Sequence, residues 1–167
     1  ATTAALADVQ PAKGRGLRHT VTVASGDFEL IDESYNANPA SMRAAIRSLG
    51  TFSPDGVGRR IAVLGDMLEL GLESPLFHSE LSEELGAASV DLVFCAGSNM
   101  LHLFEELPAG NAGGWCSSAG DLIPRLISEI RPDDVIMVKG SLGSRMGSVV
   151  EALMSTEAHI LQQANRF

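Results

Sequence analysis

Four strings of polar residues carry the chemistry that this sequence offers. The first, Asp32-Glu33-Ser34-Tyr35-Asn36-Ala37-Asn38-Pro39-Ala40-Ser41-Met42, combines carboxylates, an aromatic ring and two amides. A carboxylate at a strand end can accept two hydrogen bonds from a ribose diol, and an Asn amide offers the donor and acceptor that match an adenine edge. Asn38 before Pro39 suits equally well an N-cap with proline at the first helical position, and the two roles are compatible. The second string, Val63-Leu64-Gly65-Asp66-Met67-Leu68-Glu69-Leu70-Gly71, followed by Ser74 and His78, sets Asp66 behind a glycine that would turn the chain sharply out of a sheet. As a lone acidic turn residue, Asp66 has an ordinary structural reading beside the functional one. The third, Val138-Lys139-Gly140-Ser141-Leu142-Gly143-Ser144-Arg145-Met146, places a cation, a hydroxyl and glycine-exposed amides before a helix, a nest suited to a carboxylate or phosphate. A glycine turn with Ser144 as helix cap is the plainer alternative. In the fourth, Lys13-Gly14-Arg15, the guanidinium could fork onto a phosphate held by a neighbouring domain, or be a solvated linker charge.

The elements that must position these strings are legible in the apolar pattern. Phe28–Asp32, Arg60–Leu64, Asp91–Cys95 and Asp134–Val138 are near-continuous apolar runs, as strands buried on both faces require. A weaker strand is expected around Trp115-Cys116, and Thr20–Val23 followed by Ser25-Gly26-Asp27 reads as the first arm of a hairpin into Phe28. Met42, Ala45, Ile46 and Leu49 fall at i, i+3, i+4 and i+7, and Met146, Val149, Val150 and Leu153 repeat that spacing. Leu122, Leu126, Ile127 and Ile130 do likewise, and Leu81 with Leu85 gives a shorter stripe. Strands alternating with helices of this kind predict a Rossmann-like, three-layer, doubly wound α/β domain, mostly parallel, with a short antiparallel N-terminal hairpin strand. Three of the four strings then sit at carboxyl ends of strands, where open α/β sheets bind ligands.

Composition narrows the classes. The 167 residues are 45% hydrophobic, enough for one domain with a sizeable core. With 21 acidic against 12 basic side chains and no long basic stripe, the chain lacks the phosphate-neutralising surface of a nucleic-acid binder. No membrane span and no signal peptide are visible, so a cytoplasmic protein is expected. Cys95 lies in an apolar run and reads as a buried reduced thiol, and the histidines and cysteines have no metal-ligand spacing. No Gly-Lys-Ser/Thr phosphate loop, G-x-G-x-x-G turn or G-x-S-x-G elbow occurs. Residues 1–16, Ala-rich and then broken by proline and glycines, read as the tail of another domain and a linker; 17–167 reads as the domain proper.

Taken in order, the strings resemble the C-terminal domain of the Mur ligases, whose D-D-S-Y-N-A-N-P-x-S-M, V-L-G-D-M-x-E-L-G and V-K-G-S-x-x-x-R-M signatures match from about residue 8 to about residue 155. The resemblance implies an ATP-dependent peptide ligase of peptidoglycan precursor synthesis. ATP turns a carboxylate into an acyl phosphate, and an incoming amine attacks it. For the member with the closest strings, the amine is D-alanyl-D-alanine and the acceptor a UDP-N-acetylmuramoyl-tripeptide. It further implies an N-terminal domain for the uridine nucleotide and a central domain for the phosphate loop and Mg2+, so that this chain alone would be inactive. Carried over, Arg15 would reach the γ-phosphate, Asp32 the ribose, and Tyr35, Asn36 and Asn38 the adenine. Asp66, Lys139 and Ser141 would hold the dipeptide. Glu33 departs from the family's usual second Asp, and its extra methylene would push the carboxylate outward. Another Mur or folylpolyglutamate-type ligase, or a stand-alone nucleotide-binding module, are the competing readings; the Tyr35–Pro39 string argues against the former, since the related Mur ligases carry histidine-containing versions there.

Overall fold

A computed structural model describes the backbone of residues 11–164 and side chains to residue 155. Its centre is a six-stranded sheet in the order β1-β2-β6-β3-β4-β5. The strands are β1 (Leu17–Val23), β2 (Gly26–Glu33), β3 (Arg60–Gly65), β4 (Leu92–Ala96), β5 (Ala112–Cys116) and β6 (Val135–Lys139). β1 pairs antiparallel with β2 through a tight turn that brings Val23 opposite Gly26, and the other pairings are parallel. The apolar runs become the buried central strands because neither face of those strands meets water. The expected hairpin and the expected weak fifth strand are both present.

Among the described residues six helices cover the sheet: α1 (Pro39–Gly50), α2 (Ser74–Ser79), α3 (Leu81–Ala87), α4 (Met100–Glu106), α5 (Ala119–Glu129) and α6 (Gly147–Ala164). On one face Met42, Ile46 and Leu49 of α1, Leu81 and Leu85 of α3, and Met100 and Leu103 of α4 meet Ala62, Leu64 and Met137 of the sheet. On the other, Leu122 and Leu126 of α5 and Val149, Val150 and Leu153 of α6 meet Leu30, Val63, Phe94 and Val138. The stripes read from sequence are thus the faces buried. α2 and α4 carry no stripe long enough to be read in advance. Among the described residues no helix is long and apolar enough to cross a membrane.

The chain runs from β2 through α1, β3, α2, α3, β4 and α4 on one face, then crosses to the other with α5 and α6. The loops leaving β2 and β3 therefore diverge from the loop leaving β6, which lies between them in the sheet. That divergence opens a crevice at the carboxyl edge. At the opposite edge, fully buried Asp134 fastens the entry to β6. Its carboxylate accepts from the Arg59 and Arg131 amides at 3.0 and 2.9 Å and from Arg59 Nη2 and Nε at 2.8 and 3.2 Å. The hydrogen bond to Asp134 raises the Arg59 pKa. Removing one partner strands the other charge in a desolvated place. Asp134→Ala is expected to lower the unfolding free energy by about 3 kcal/mol, measured by urea denaturation; a change below about 1 kcal/mol would show that the pair behaves as a surface contact.

Candidate functional site

The first string leaves β2 with its side chains on opposite faces. Asp32 points toward the α6 side and is almost fully buried. Its Oδ1 accepts from the Ser34 amide and hydroxyl at 3.0 and 2.5 Å, and its Oδ2 accepts from the Gly14 amide at 3.0 Å. The backbone repeats the attachment: Gly16 N–H donates to the Asp32 carbonyl at 2.7 Å, and Tyr35 N–H to the Gly14 carbonyl at 3.0 Å. Gly14 has φ +78° and passes so close to Tyr35 that an added Cβ would lie 2.8 Å from the Tyr35 Cβ. This segment is therefore clamped to the sheet. Arg15, exposed at its crest, lays its guanidinium over the Tyr35 ring at 4.3 Å, a cation–π contact. Glu33 points to the α1 side, half-buried, with Oε2 3.8 Å from Lys139 Nζ.

Asn36 and Asn38 are exposed beyond Tyr35. Asn38 is the N-cap of α1: its Oδ1 accepts from Ser41 N–H at 2.8 Å, while the Ser41 hydroxyl accepts from Asn38 N–H at 3.0 Å, closing a capping box with Pro39 in the first turn. The capping role expected beside the ligand role is thus observed, and it uses the amide oxygen, while the amide nitrogen enters no hydrogen bond among the described residues.

Lys139 and Ser141 are internal. Lys139, nearly buried, donates to the Asn36 carbonyl at 2.8 Å, and burial lowers its pKa although Glu33 opposes that. The Ser141 hydroxyl donates to the Ala37 carbonyl at 3.2 Å and accepts from Leu68 N–H at 3.0 Å, and its amide donates to the Asp66 carbonyl at 3.0 Å. One residue thereby joins the loops after β2, β3 and β6. The expected open nest of amides is largely closed, since Ser144 and Arg145 N–H donate to the carbonyls of Ser141 and Leu142 in a 3-10 turn. Ser144 is not the helix cap: its hydroxyl donates to Ser141 O at 2.6 Å, and α6 begins only at Gly147. Arg145 ends the turn in left-handed backbone, φ 60°.

Asp66, nearly buried, accepts from the Met100 amide at 2.9 Å and from the Asn99 side chain at 3.2 Å, so it fixes the start of α4 while lining a cavity. Gly65, at the end of β3, is not among the glycines with positive φ. Its missing side chain admits Met146: a Cβ there would lie 2.5 Å from Met146 Cγ, and one on Gly140 would lie 2.6 Å from the same atom. His78, fully buried, accepts at Nε2 from Met67 N–H at 3.0 Å and donates from Nδ1 to the Ser74 carbonyl at 2.6 Å. Among the described residues no group of three or more His, Cys, Asp or Glu is placed to hold a metal ion.

Strand-end loops of this kind, gathered at the divergent edge of a doubly wound sheet, define an α/β ligand-binding domain. Residues 18–142 match the family described as Mur ligase, glutamate ligase domain, and the chain belongs to the Mur ligase family. It is similar to the UDP-N-acetylmuramoyl-tripeptide--D-alanyl-D-alanine ligase of Escherichia coli K12, 39% identical over 74% of this chain and 26% of that protein. The ligase of the same name from Mycobacterium tuberculosis CDC 1551 is 33% identical over 84% of this chain and 31% of that protein. Among solved structures, MurF from Acinetobacter baumannii superposes with TM-score 0.72 at 29% identity, over 89% of this chain and 31% of that one. MurF from Thermotoga maritima in complex with ADP shares the fold, with TM-score 0.74 at 24% identity, over 92% of this chain and 33% of that one. The chain thus spans about a third or less of the length of these relatives.

Burial holds the His78 pKa below its ordinary value, opposed by the Ser74 carbonyl and Asp66 and helped by His102. The unfolded chain then binds the proton first. His78 contributes its full stabilisation above about pH 6.5, and that contribution is lost as pH falls through the lower folded value. Unfolding free energy measured from pH 7.5 to 5 should fall, and His78→Phe, which cannot titrate and costs about 1–3 kcal/mol by orphaning the Met67 amide, should flatten that slope. An unchanged slope would remove His78 from the pH response.

Proposed function

We propose that this chain is the C-terminal domain of a cytoplasmic ATP-dependent ligase that joins D-alanyl-D-alanine to a UDP-N-acetylmuramoyl-tripeptide in peptidoglycan precursor synthesis. In this reading the uridine nucleotide, the phosphate loop and Mg2+ belong to domains preceding residue 17. The observation that carries it is the convergence of the three signature loops on one crevice, held there by Ser141, in a chain whose relatives bear that activity in their names.

The chemistry runs in two steps. A carboxylate oxygen of the tripeptide attacks the γ-phosphorus of ATP, ADP leaves, and an acyl phosphate forms. The dipeptide amine then attacks the acyl carbon, phosphate departs, and an amide remains. Both steps need reactants brought from separate domains and water kept away, which domain closure supplies. Arg15 meets the γ-phosphate, where a cation offsets the charge that builds on the transferring group. Its stacking on Tyr35 holds it at the crest of the domain rather than loose in a linker, so we set the pivot of closure in residues 11–13, ahead of the Gly14 clamp.

Tyr35, Asn36 and the free amide nitrogen of Asn38 lie together on the exposed rim and flank the adenine. For the ribose, the two oxygens of Asp32 already serve Gly14 and Ser34, so Asp32 orients the rim and the accessible Glu33 carboxylate takes the diol. Lys139 and Ser141 act as positioning residues that lock the loops around the dipeptide, with Asp66 beside its amine.

The test is product formation by the full-length protein: a UDP-linked pentapeptide should form only when tripeptide substrate, D-alanyl-D-alanine and ATP are all present, and absence of product overturns the reading. Arg15→Ala in that protein should lower kcat by about 100-fold and leave the thermal midpoint nearly unchanged. Unaltered turnover would take Arg15 out of the mechanism. Titrated with ATP, the isolated chain should bind weakly or undetectably, whereas low-micromolar binding would favour a stand-alone nucleotide module.

A further inference from the structure

On the α5 and α6 side of the sheet, a cavity of about 540 Å³ lies beyond the ends of β3, β4 and β5. That volume falls within the range of small-molecule sites, about 300–1,000 Å³. Its lining includes Asp66, whose carboxylate also accepts from the Met100 amide and the Asn99 side chain, and Arg145. The rest of the lining is mostly small, alanines, glycines and serines with Leu68, so short side chains fit without a clash. The N-terminal ends of α5 and α6 both open on it, adding a partial positive field near Arg145.

Arg145 differs from the other cations near the crevice. Lys139 is committed to Asn36 and Glu33, lies on the α1 side and does not line this cavity. Arg15 is stacked on Tyr35. The Arg145 guanidinium enters no hydrogen bond, ion pair or ring contact among the described residues, and its backbone is held in the left-handed region by the turn after Ser141. A cation and a carboxylate in the lining of one cavity built mostly of small residues complement a short zwitterion whose side chains are methyls. An extended dipeptide spans about 7 Å, short enough for such a chamber.

We propose that Arg145 binds the terminal carboxylate of the dipeptide in this cavity, with the amine end directed to the Asp66 wall, and that it is the residue selecting a free carboxylate over a neutral end. The inference rests on the ligase reading above but gives the carboxylate to Arg145 instead of Lys139 and Ser141. A guanidinium is suited to the task because its planar donors match a carboxylate in pairs.

The experiment compares D-alanyl-D-alanine with its C-terminal amide as substrates of the full-length ligase. The parent should favour the free acid, with KM about 10- to 100-fold lower than for the amide. Arg145→Asn and Arg145→Gly, both compatible with left-handed backbone, should raise KM for the free acid by a similar factor, abolish the preference over the amide, and leave KM for ATP unchanged. Arg145→Lys should restore part of the preference. A preference that survives in the Asn and Gly variants, or a KM effect on ATP instead, overturns the assignment while leaving the ligase reading intact. A parent protein that ligates neither dipeptide overturns both.

Discussion

The loops after β2, β3 and β6 must fold back on one another with their backbone groups shielded from water, and Ser141, in the loop after β6, satisfies one group of the loop after β2 and two of the loop after β3. Unpaired, those groups would each cost roughly 1–3 kcal/mol. With Ser141 in place, the Ala37 carbonyl, the Leu68 amide and the Asp66 carbonyl are all engaged. Lys139 adds the Asn36 carbonyl. The rim bearing Tyr35 and the wall bearing Asp66 are consequently parts of one hydrogen-bonded unit, and neither can shift without disturbing the other.

This network shows what residue type alone does not tell, namely which polar atoms are already engaged within the chain. Asp32, Lys139 and Ser141 have the chemistry of binding residues, and their spacing placed them correctly at strand ends. Their polar atoms are nonetheless turned inward, onto Gly14, Ser34, Asn36, Ala37 and Leu68. Nothing in a linear string distinguishes a carboxylate that faces a ligand from one that faces an amide eighteen residues away. Asn38 is the case where sequence did contain the answer, because Pro39 and Ser41 beside it spell a capping box. Arg145 is the reverse: its left-handed backbone and its place with Asp66 in the lining of one cavity come from a turn and a cavity that only the folded chain defines.

The fold was more legible than the site. Burial on both faces writes a strand as an apolar run, so β2, β3, β4 and β6 are plain to read, and the stripes of α1, α5 and α6 are long enough to fix their faces. α4 escapes such reading for a physical reason. It is seven residues long, buries only Met100 and Leu103, and has its first turn held by a carboxylate thirty-four positions earlier, at Asp66. α2 is shorter still and is fastened through His78 to the loop after β3. Short helices stabilised by tertiary partners leave little periodicity behind.

Met146 occupies the space that side chains on Gly65 and Gly140 would otherwise fill, one thioether wedged between the outgoing ends of two neighbouring strands. In any chain that keeps this geometry, these positions can change only in concert: a methyl gained on either glycine must be matched by atoms given up at the methionine and by room made at the Ser144 hydroxyl, which crowds both glycines as well.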